Sequence, residues 1–311
     1  MYRRMLVPLD GSEVAEVVFP YARKLAGRLG TEVILLHISN PGLKPFLPMS
    51  QAYIEHAASV IKTGAIQPIT VRGDLISGYP SDEIIRYSEE NKIDLIVVAS
   101  HGRGGSKRSE MGSVAERVMR SAKIPVLLVP AAEPGAVPFD QWQTRDLIVP
   151  LDGSELAETV LPHVEELAGK GGLSYSKVVL LRACEPPAMP TYYSPELSEI
   201  PLHWGQYAQQ ETARCKQVST EYLANIESRL KAKGIEAKAE VLVGKASDEI
   251  VNYVNKNPQS LIVMATHGRS GFSRLVYGSV ALNILVGVSN PILLIKPAIK
   301  STENSGKKSA K

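Results

Sequence analysis

At 311 residues the chain is long enough for about two domains, each able to bury a core of its own. A hydrophobic content of 44% with 22% charged residues excludes a disordered or fibrous class, and a net charge of +3 gives no ground for a nucleic-acid or membrane surface. The two cysteines, Cys184 and Cys215, show no CxxC spacing and no paired histidines nearby, so reduced thiols are expected rather than a disulfide or a metal site. No apolar run reaches the length of a bilayer span, and the N-terminal one is too short for a signal peptide and broken at Pro8, so residence in the cytoplasm is expected.

The first apolar run predicts a strand over 4–9, followed by Asp10-Gly11-Ser12-Glu13, in which Ser12 suits a helix N-cap and Glu13 the helix dipole. Val14, Val17, Val18, Tyr21, Leu25 and Leu29 then mark one face of a single helix that stops at Gly30. A nearly continuous apolar run over 31–39 reads as a second strand, of the kind buried on both faces of a parallel sheet. A Pro-containing loop, a short helix over 51–62 and a third strand over 66–71 follow. Next come a helix from Ser81 or Asp82, a fourth strand over 94–100, a Gly-rich loop, a helix over 113–121 and a fifth strand over 125–129. Strand and helix alternate throughout, which predicts βα units.

Residues 132–143 have two prolines, a glycine and no periodicity, and read as a linker between a domain at 1–131 and another at 144–298. Past it the pattern restarts, and Val149-Pro-Leu-Asp-Gly-Ser-Glu155 is identical with Val7-Pro-Leu-Asp-Gly-Ser-Glu13. The aspartates Asp10 and Asp152 are 142 positions apart and the glycines Gly102 and Gly268 are 166 apart, so the second half carries 24 extra residues between them. Most of these fall between its second strand (177–183) and third (237–243), in a Pro- and Tyr-rich loop and a long helix over about 206–233. The Lys-rich tail over 299–311 is expected to be disordered.

One stretch recurs in both halves. At 96–113 it runs I-V-V-A-S-H-G-R-G-G-S-K-R-S-E-M-G-S, and at 262–279 I-V-M-A-T-H-G-R-S-G-F-S-R-L-V-Y-G-S. Both keep Ala-x2-Gly-x9-Gly-Ser: Ala99, Gly102, Gly112 and Ser113, then Ala265, Gly268, Gly278 and Ser279. Glycine lets a backbone N–H come close to a ligand and tolerates unusual φ/ψ, and a helix starting at Gly112 or Gly278 offers unpaired amides and a positive dipole end. A phosphate is the expected guest.

Together, the paired V-P-L-D-G-S-E, L-L-H-I or L-L-R-A, A-[ST]-H-G-R and G-S-V-A segments resemble the universal stress protein family, as a tandem of two such domains. The resemblance implies two Rossmann-like domains, each a five-stranded parallel sheet with helices on both faces. It also implies, in the branch marked by Gly-x2-Gly-x9-Gly and Ser or Thr, bound ATP with Mg2+ held by the phosphates. Alanine stands at the first glycine position in both halves. By position, Pro8, Leu9 and Asp10 would flank the nucleoside, with the backbone of Ile38 near adenine. Ala99, His101, Gly102, Arg103, Gly112, Ser113 and Val114 would surround ribose and phosphates. The matching positions are Pro150, Leu151, Asp152, Ala183, Ala265, His267, Gly268, Arg269, Gly278, Ser279 and Val280. His37 in the first half is matched by Arg182 in the second.

Other readings stay open at single residues. Asp10 and Asp152 also suit the organisation of a turn, His101 and His267 a loop hydrogen bond, and the basic loop residues, including Lys107, Arg108 and Arg274, plain solvation. No G-x4-G-K-[ST], G-x-G-x-x-G, G-x-S-x-G or HExxH occurs, so binding of adenine nucleotide in stress response or regulation is expected rather than fast catalysis. A slow ATPase and a nucleotide-free interaction scaffold are the alternatives. The apolar fifth strands, 126–129 and 292–295, would be exposed edges unless paired, and are expected to pair with each other as an internal pseudo-dimer, with a homodimer left open.

Overall fold

The computed structural model describes residues 1–39, 47–102, 111–131, 139, 142, 145–169, 177–188, 204–266 and 277–297. The first half contributes strands β1 (Arg4–Leu9), β2 (Glu32–Ser39), β3 (Val71–Ser77), β4 (Leu95–Ala99) and β5 (Val126–Val129). The second contributes β6 (Asp146–Pro150), β7 (Lys177–Cys184), β8 (Ala237–Val243), β9 (Ser260–Ala265) and β10 (Ile292–Ile295). All join one sheet in the order β3-β2-β1-β4-β5-β10-β9-β6-β7-β8.

Pairing is parallel within each half and antiparallel where the halves meet, with Ile292, Leu293 and Leu294 opposite Leu128, Leu127 and Val126. The fifth strands therefore cover each other. Because each half is parallel and the junction is antiparallel, the carboxyl ends of the strands point to opposite edges of the sheet in the two halves.

Helices cover both faces. Met5, Val7 and Leu35 face one layer, built from α1 (Phe19–Leu29), α2 (Leu47–Thr63), α6 (Leu161–Ala168) and α7 (Trp204–Ala232). Leu6, Ile34 and Leu36 face the other, built from α3 (Pro80–Glu90), α4 (Ser113–Ser121), α8 (Ala246–Asn255) and α9 (Ser279–Gly287). This is why the strands read as continuous apolar runs: alternate side chains enter different cores.

Two expectations are corrected. The third strand is not at 66–71 but at Val71–Ser77, and Ile66 is 92% exposed. β3 is an outer edge strand carrying Arg72 and Asp74, and its charges hide it from an apolar count. Those charges suit an edge that must not recruit another strand. The same device recurs on β8, where Lys238 pairs with Glu240 at 2.7 Å and Tyr253 donates to Glu240 at 2.9 Å, as Tyr87 donates to Asp74.

The expected single helix after Ser12 is broken into a 3-10 turn, Ala15–Val18, and α1. In the second half the break separates α5 (Glu155–Glu158) from α6. Pro20 and Pro162 cause it: each lacks an N–H to continue the preceding turn and fits only the first turn of a new helix.

The connection between the halves carries packed side chains. Phe139 and Trp142 are buried, with Phe139 stacked on Tyr21 at 4.1 Å between ring centres and Trp142 edge-on to Phe139 at 5.1 Å. Arg145 lies 5.5 Å from the Phe139 ring centre and donates to its carbonyl. The other linker residues, the Pro- and Tyr-rich loop and the tail lie outside the described residues. No described helix is long and apolar enough to cross a membrane.

Candidate functional site

Each copy of Asp-Gly-Ser-Glu builds the same turn at the end of its first strand. Asp10 Oδ1 accepts from the backbone N–H of Ser12 at 2.9 Å and from its hydroxyl at 2.6 Å, and Ser12 Oγ accepts from Ala15 N–H at 3.3 Å. Asp152, Ser154 and Ala157 repeat these bonds at 2.9, 2.6 and 3.2 Å. Gly11 and Gly153 take left-handed φ of 81° and 86°, which makes glycine the fitting residue in the turn. The turn role of both aspartates is thus present. In the first half the carboxylate also borders the Gly-rich loop, because a Cβ added at Gly102 would lie 2.5 Å from Asp10 Oδ2.

Opposite this turn, β4 delivers Ala99, Ser100, His101 and Gly102. Ser100 Oγ accepts from Ala131 N–H at 3.1 Å and shares a 2.8 Å hydrogen bond with His101 Nδ1. Gly112 N–H donates to the Ser100 carbonyl at 2.9 Å, bringing the start of α4 against the end of β4. The second half repeats this clasp, with Gly278 N–H donating to the Thr266 carbonyl at 3.1 Å at the start of α9. Gly112 and Gly278 cap the two helices and, lacking side chains, make no side-chain cap hydrogen bond to the first-turn amides. Such a terminus favours an anion. Ser113, Ser279 and Val280 are exposed there, and Val114 is half-buried.

The glycines at the clasp serve space rather than unusual backbone. Gly112 and Gly278 have φ of −61° and −58°, open to any residue. A Cβ at 112 would sit 3.2 Å from the Ser100 carbonyl oxygen, whereas at 278 it would meet Thr266 O at an ordinary 3.7 Å. Ala99 and Ala265 belong to β4 and β9, and Lys92 is the sole non-glycine with positive φ among the described residues. Alanine at the first position of the motif therefore carries no backbone cost.

At the other end of each site the halves diverge. His37 Nδ1–H donates to the Leu9 carbonyl at 2.9 Å, and its ring meets Tyr53 of α2 edge-on at 6.1 Å. In the second half the Arg182 guanidinium lies 4.9 Å from the ring centre of Tyr222 on α7, and a Cβ on Gly153 would be 3.0 Å from it. Tyr222 donates to Glu158 at 3.0 Å, and burial, then Glu158, push its hydroxyl pKa up. Ile38 and Ala183 follow at the strand ends, both half-buried.

Directly after Ala183 comes the largest departure from expectation. Cys184 and Cys215 are joined in a disulfide with their Cα atoms 5.9 Å apart, not kept as separate thiols. The long helix α7 folds back across the end of β7 and brings together cysteines that lie 31 positions apart, a proximity that spacing alone could not reveal.

The structure thus brings Pro8, Leu9, Asp10, His101, Gly102 and Gly112 to one sheet edge, and Pro150, Leu151, Asp152, Ala265 and Gly278 to the opposite one. Arg103, His267, Gly268 and Arg269, with Lys107, Arg108 and Arg274, lie outside the described residues. Ser100, Tyr53 and Tyr222 were missed by the sequence reading. Ser100 stood in the repeated motif, while the tyrosines are set by helices that the repeat does not share. Among the described residues no group of three or more His, Cys, Asp or Glu could hold a metal ion.

The chain matches the universal stress protein family over residues 1–130 and 143–296. A universal stress protein of Synechocystis is 24% identical over 328 residues, which cover 94% of this chain and 100% of that one. Another, from Methanocaldococcus jannaschii, is 30% identical over 142 residues, or 42% of this chain and 82% of that one. A solved universal stress protein structure from Archaeoglobus fulgidus superposes with a TM-score of 0.61 at 21% identity, covering 95% of this chain and 97% of that one. A Pseudomonas aeruginosa protein described as functionally unknown gives 0.67 at 16% identity, with 95% and 93% covered.

Proposed function

The chain belongs to the universal stress protein family, and from that membership we propose that it binds ATP, one molecule in each half, and acts in stress response or regulation rather than as a fast catalyst. The units concerned are 1–131 and 144–298. The observation that carries the reading is the clasp repeated at both sheet edges, Gly112 on Ser100 and Gly278 on Thr266, which sets a helix start without a side-chain cap against a strand end. With the Gly112 and Gly278 N–H groups held in the clasp, the amides of Ser113 and Val114, or of Ser279 and Val280, would take the phosphates. Asp10 or Asp152 would border the ribose, and the backbone of Ile38 or Ala183 the adenine. Mg2+ would take its ligands from the phosphates and water.

Magnitudes support this scale of binding. Charge-assisted hydrogen bonds contribute roughly 1.5–3 kcal/mol each, so about four of them with a buried base reach the ~8 kcal/mol of a micromolar complex. The test is calorimetric titration of the nucleotide-free chain with Mg-ATP, repeated on Gly112→Val and Gly278→Val. Saturable binding weakened by each substitution is expected. Absence of binding at sub-millimolar ATP, checked by a second method, would overturn the reading in favour of an interaction scaffold.

A further inference from the structure

Helix α7 is buried much more deeply at its C-terminal half than at its N-terminal half. Its buried residues are Ser219, Leu223, Ile226 and Leu230, a single face confined to the C-terminal half. No residue from Trp204 to Val218 is buried. The hydrogen bonds and ion pairs of that stretch to described residues stay within the helix, as in Thr212 to Ala208, Arg214 to Glu211 and Gln217 to Glu221. Trp204, Ala208, Glu211, Thr212 and Cys215 continue that face but are only half-buried, and a helical stretch of that length is marginal in water without tertiary packing. Among the described residues, the covalent link from Cys215 to Cys184 joins this stretch to the end of β7.

The link is confined to the second site. Ser39 ends β2 where Cys184 ends β7. Cys184 is fully buried, whereas Cys215 is only half-buried, which makes it the more accessible sulfur of the pair. Ser219 is also fully buried, and its hydroxyl has the two sulfurs as hydrogen-bond partners, at 3.3 Å from Cys184 Sγ and 3.9 Å from Cys215 Sγ.

We propose that Cys184–Cys215 is a reversible thiol–disulfide exchange site whose co-substrate is a dithiol, and that its state decides whether the N-terminal half of α7 is held against the second site. A thiolate of the dithiol attacks Cys215 Sγ, and the S–S bond breaks with its electron pair leaving on Cys184. Ser219 Oγ–H donates to that departing thiolate. The second thiolate of the dithiol then attacks the mixed disulfide and expels Cys215. The protein gains two electrons and two protons, and the dithiol becomes a disulfide. Reduction frees residues 204–218, together with the end of β7 next to Ala183 and the turn leading to Tyr222. This last consequence rests on the reading of the second half as a nucleotide site, and lower ATP affinity there follows.

The test uses the full chain, air-oxidised, reduced with dithiothreitol, and as Cys215→Ser and Cys184→Ser, with trypsin cleavage followed by mass spectrometry. Cleavage after Arg214 and Lys216 should rise about tenfold on reduction, by local opening, and should be equally fast in both variants with or without reductant. Equal cleavage in the oxidised and reduced chains would overturn the proposal. So would a parallel rise after Arg117 and Arg120 of α4, which would make the bond a brace for the whole fold. ATP titration of the same samples separates the two readings: second-site affinity falling about threefold or more on reduction supports both. Loss of all ATP binding, with the cleavage difference intact, removes the nucleotide reading and leaves the exchange site standing.

Discussion

The Arg182 guanidinium lies over the ring of Tyr222, where the first half sets the His37 ring edge-on to Tyr53. The same strand position thus presents a permanent cation on a tyrosine face in one site and an imidazole bound to a backbone carbonyl in the other. Tyr222→Phe keeps the face and loses the bond to Glu158, and should cost about 1 kcal/mol. Tyr222→Leu also loses the cation–π contact, worth about 0.5–2 kcal/mol. Urea unfolding of both variants gives the difference, and ATP affinity should fall at the second site alone.

Glycine substitutions should rank by the space around them. Gly102→Ala sets a methyl 2.5 Å from Asp10 Oδ2 and should cost about 1–3 kcal/mol while weakening first-site binding. Gly278→Ala, with 3.7 Å to its nearest neighbour, should leave stability within about 0.5 kcal/mol. Equal costs in denaturant titrations would contradict this account of the loops.

Asp10 should act through one oxygen in the turn. Asp10→Asn keeps an acceptor for the Ser12 N–H and hydroxyl and should hold the fold, whereas Asp10→Ala removes both bonds and should cost about 1–3 kcal/mol. Thermal and urea unfolding would separate the two, and Asp152 should behave alike in the second half.

His163 links the halves, sharing a 2.6 Å hydrogen bond with the Tyr2 hydroxyl. Burial holds its pKa below the ordinary 6.5, and the N-terminal ammonium works in the same direction while Glu166 opposes it. The unfolded chain therefore takes up the proton first as pH falls. Stability from the neutral ring is fully present above about 6.5 and is lost as pH drops from there through the folded value. Urea midpoints between about pH 7.5 and 5 should decline in the parent chain and decline less in His163→Leu.

The central junction should survive loss of chain continuity. With a protease site placed within 132–138 and cut, the fragments should stay together in gel filtration, because β5 and β10 cover each other and Phe139 and Trp142 remain packed. Separation without denaturant would show that the paired edges do not hold alone.

Where one chain segment decides the structure, it was readable beforehand. The strand Arg4–Leu9 and the helix Ser113–Ser121 fall where periodicity and the Gly-Ser signal put them, and the duplicated heptapeptide builds duplicated turns. β3 escaped because an edge strand half open to water needs charges more than apolar residues. The disulfide, the Phe139–Tyr21 stack and the contacts of Tyr53 and Tyr222 escaped because each joins elements remote in the chain, whose meeting depends on packing angles that no local pattern records.

The antiparallel seam of β5 and β10 lies inside one polypeptide. In an assembly of two identical subunits, every substitution appears at both ligand edges. A fused pair escapes that constraint: Arg182, Cys184 and the long helix are present at one edge, while His37, Ser39 and a shorter helix are kept at the other. The fold behaves as a heterodimer that never has to find its partner, and its two edges are free to differ.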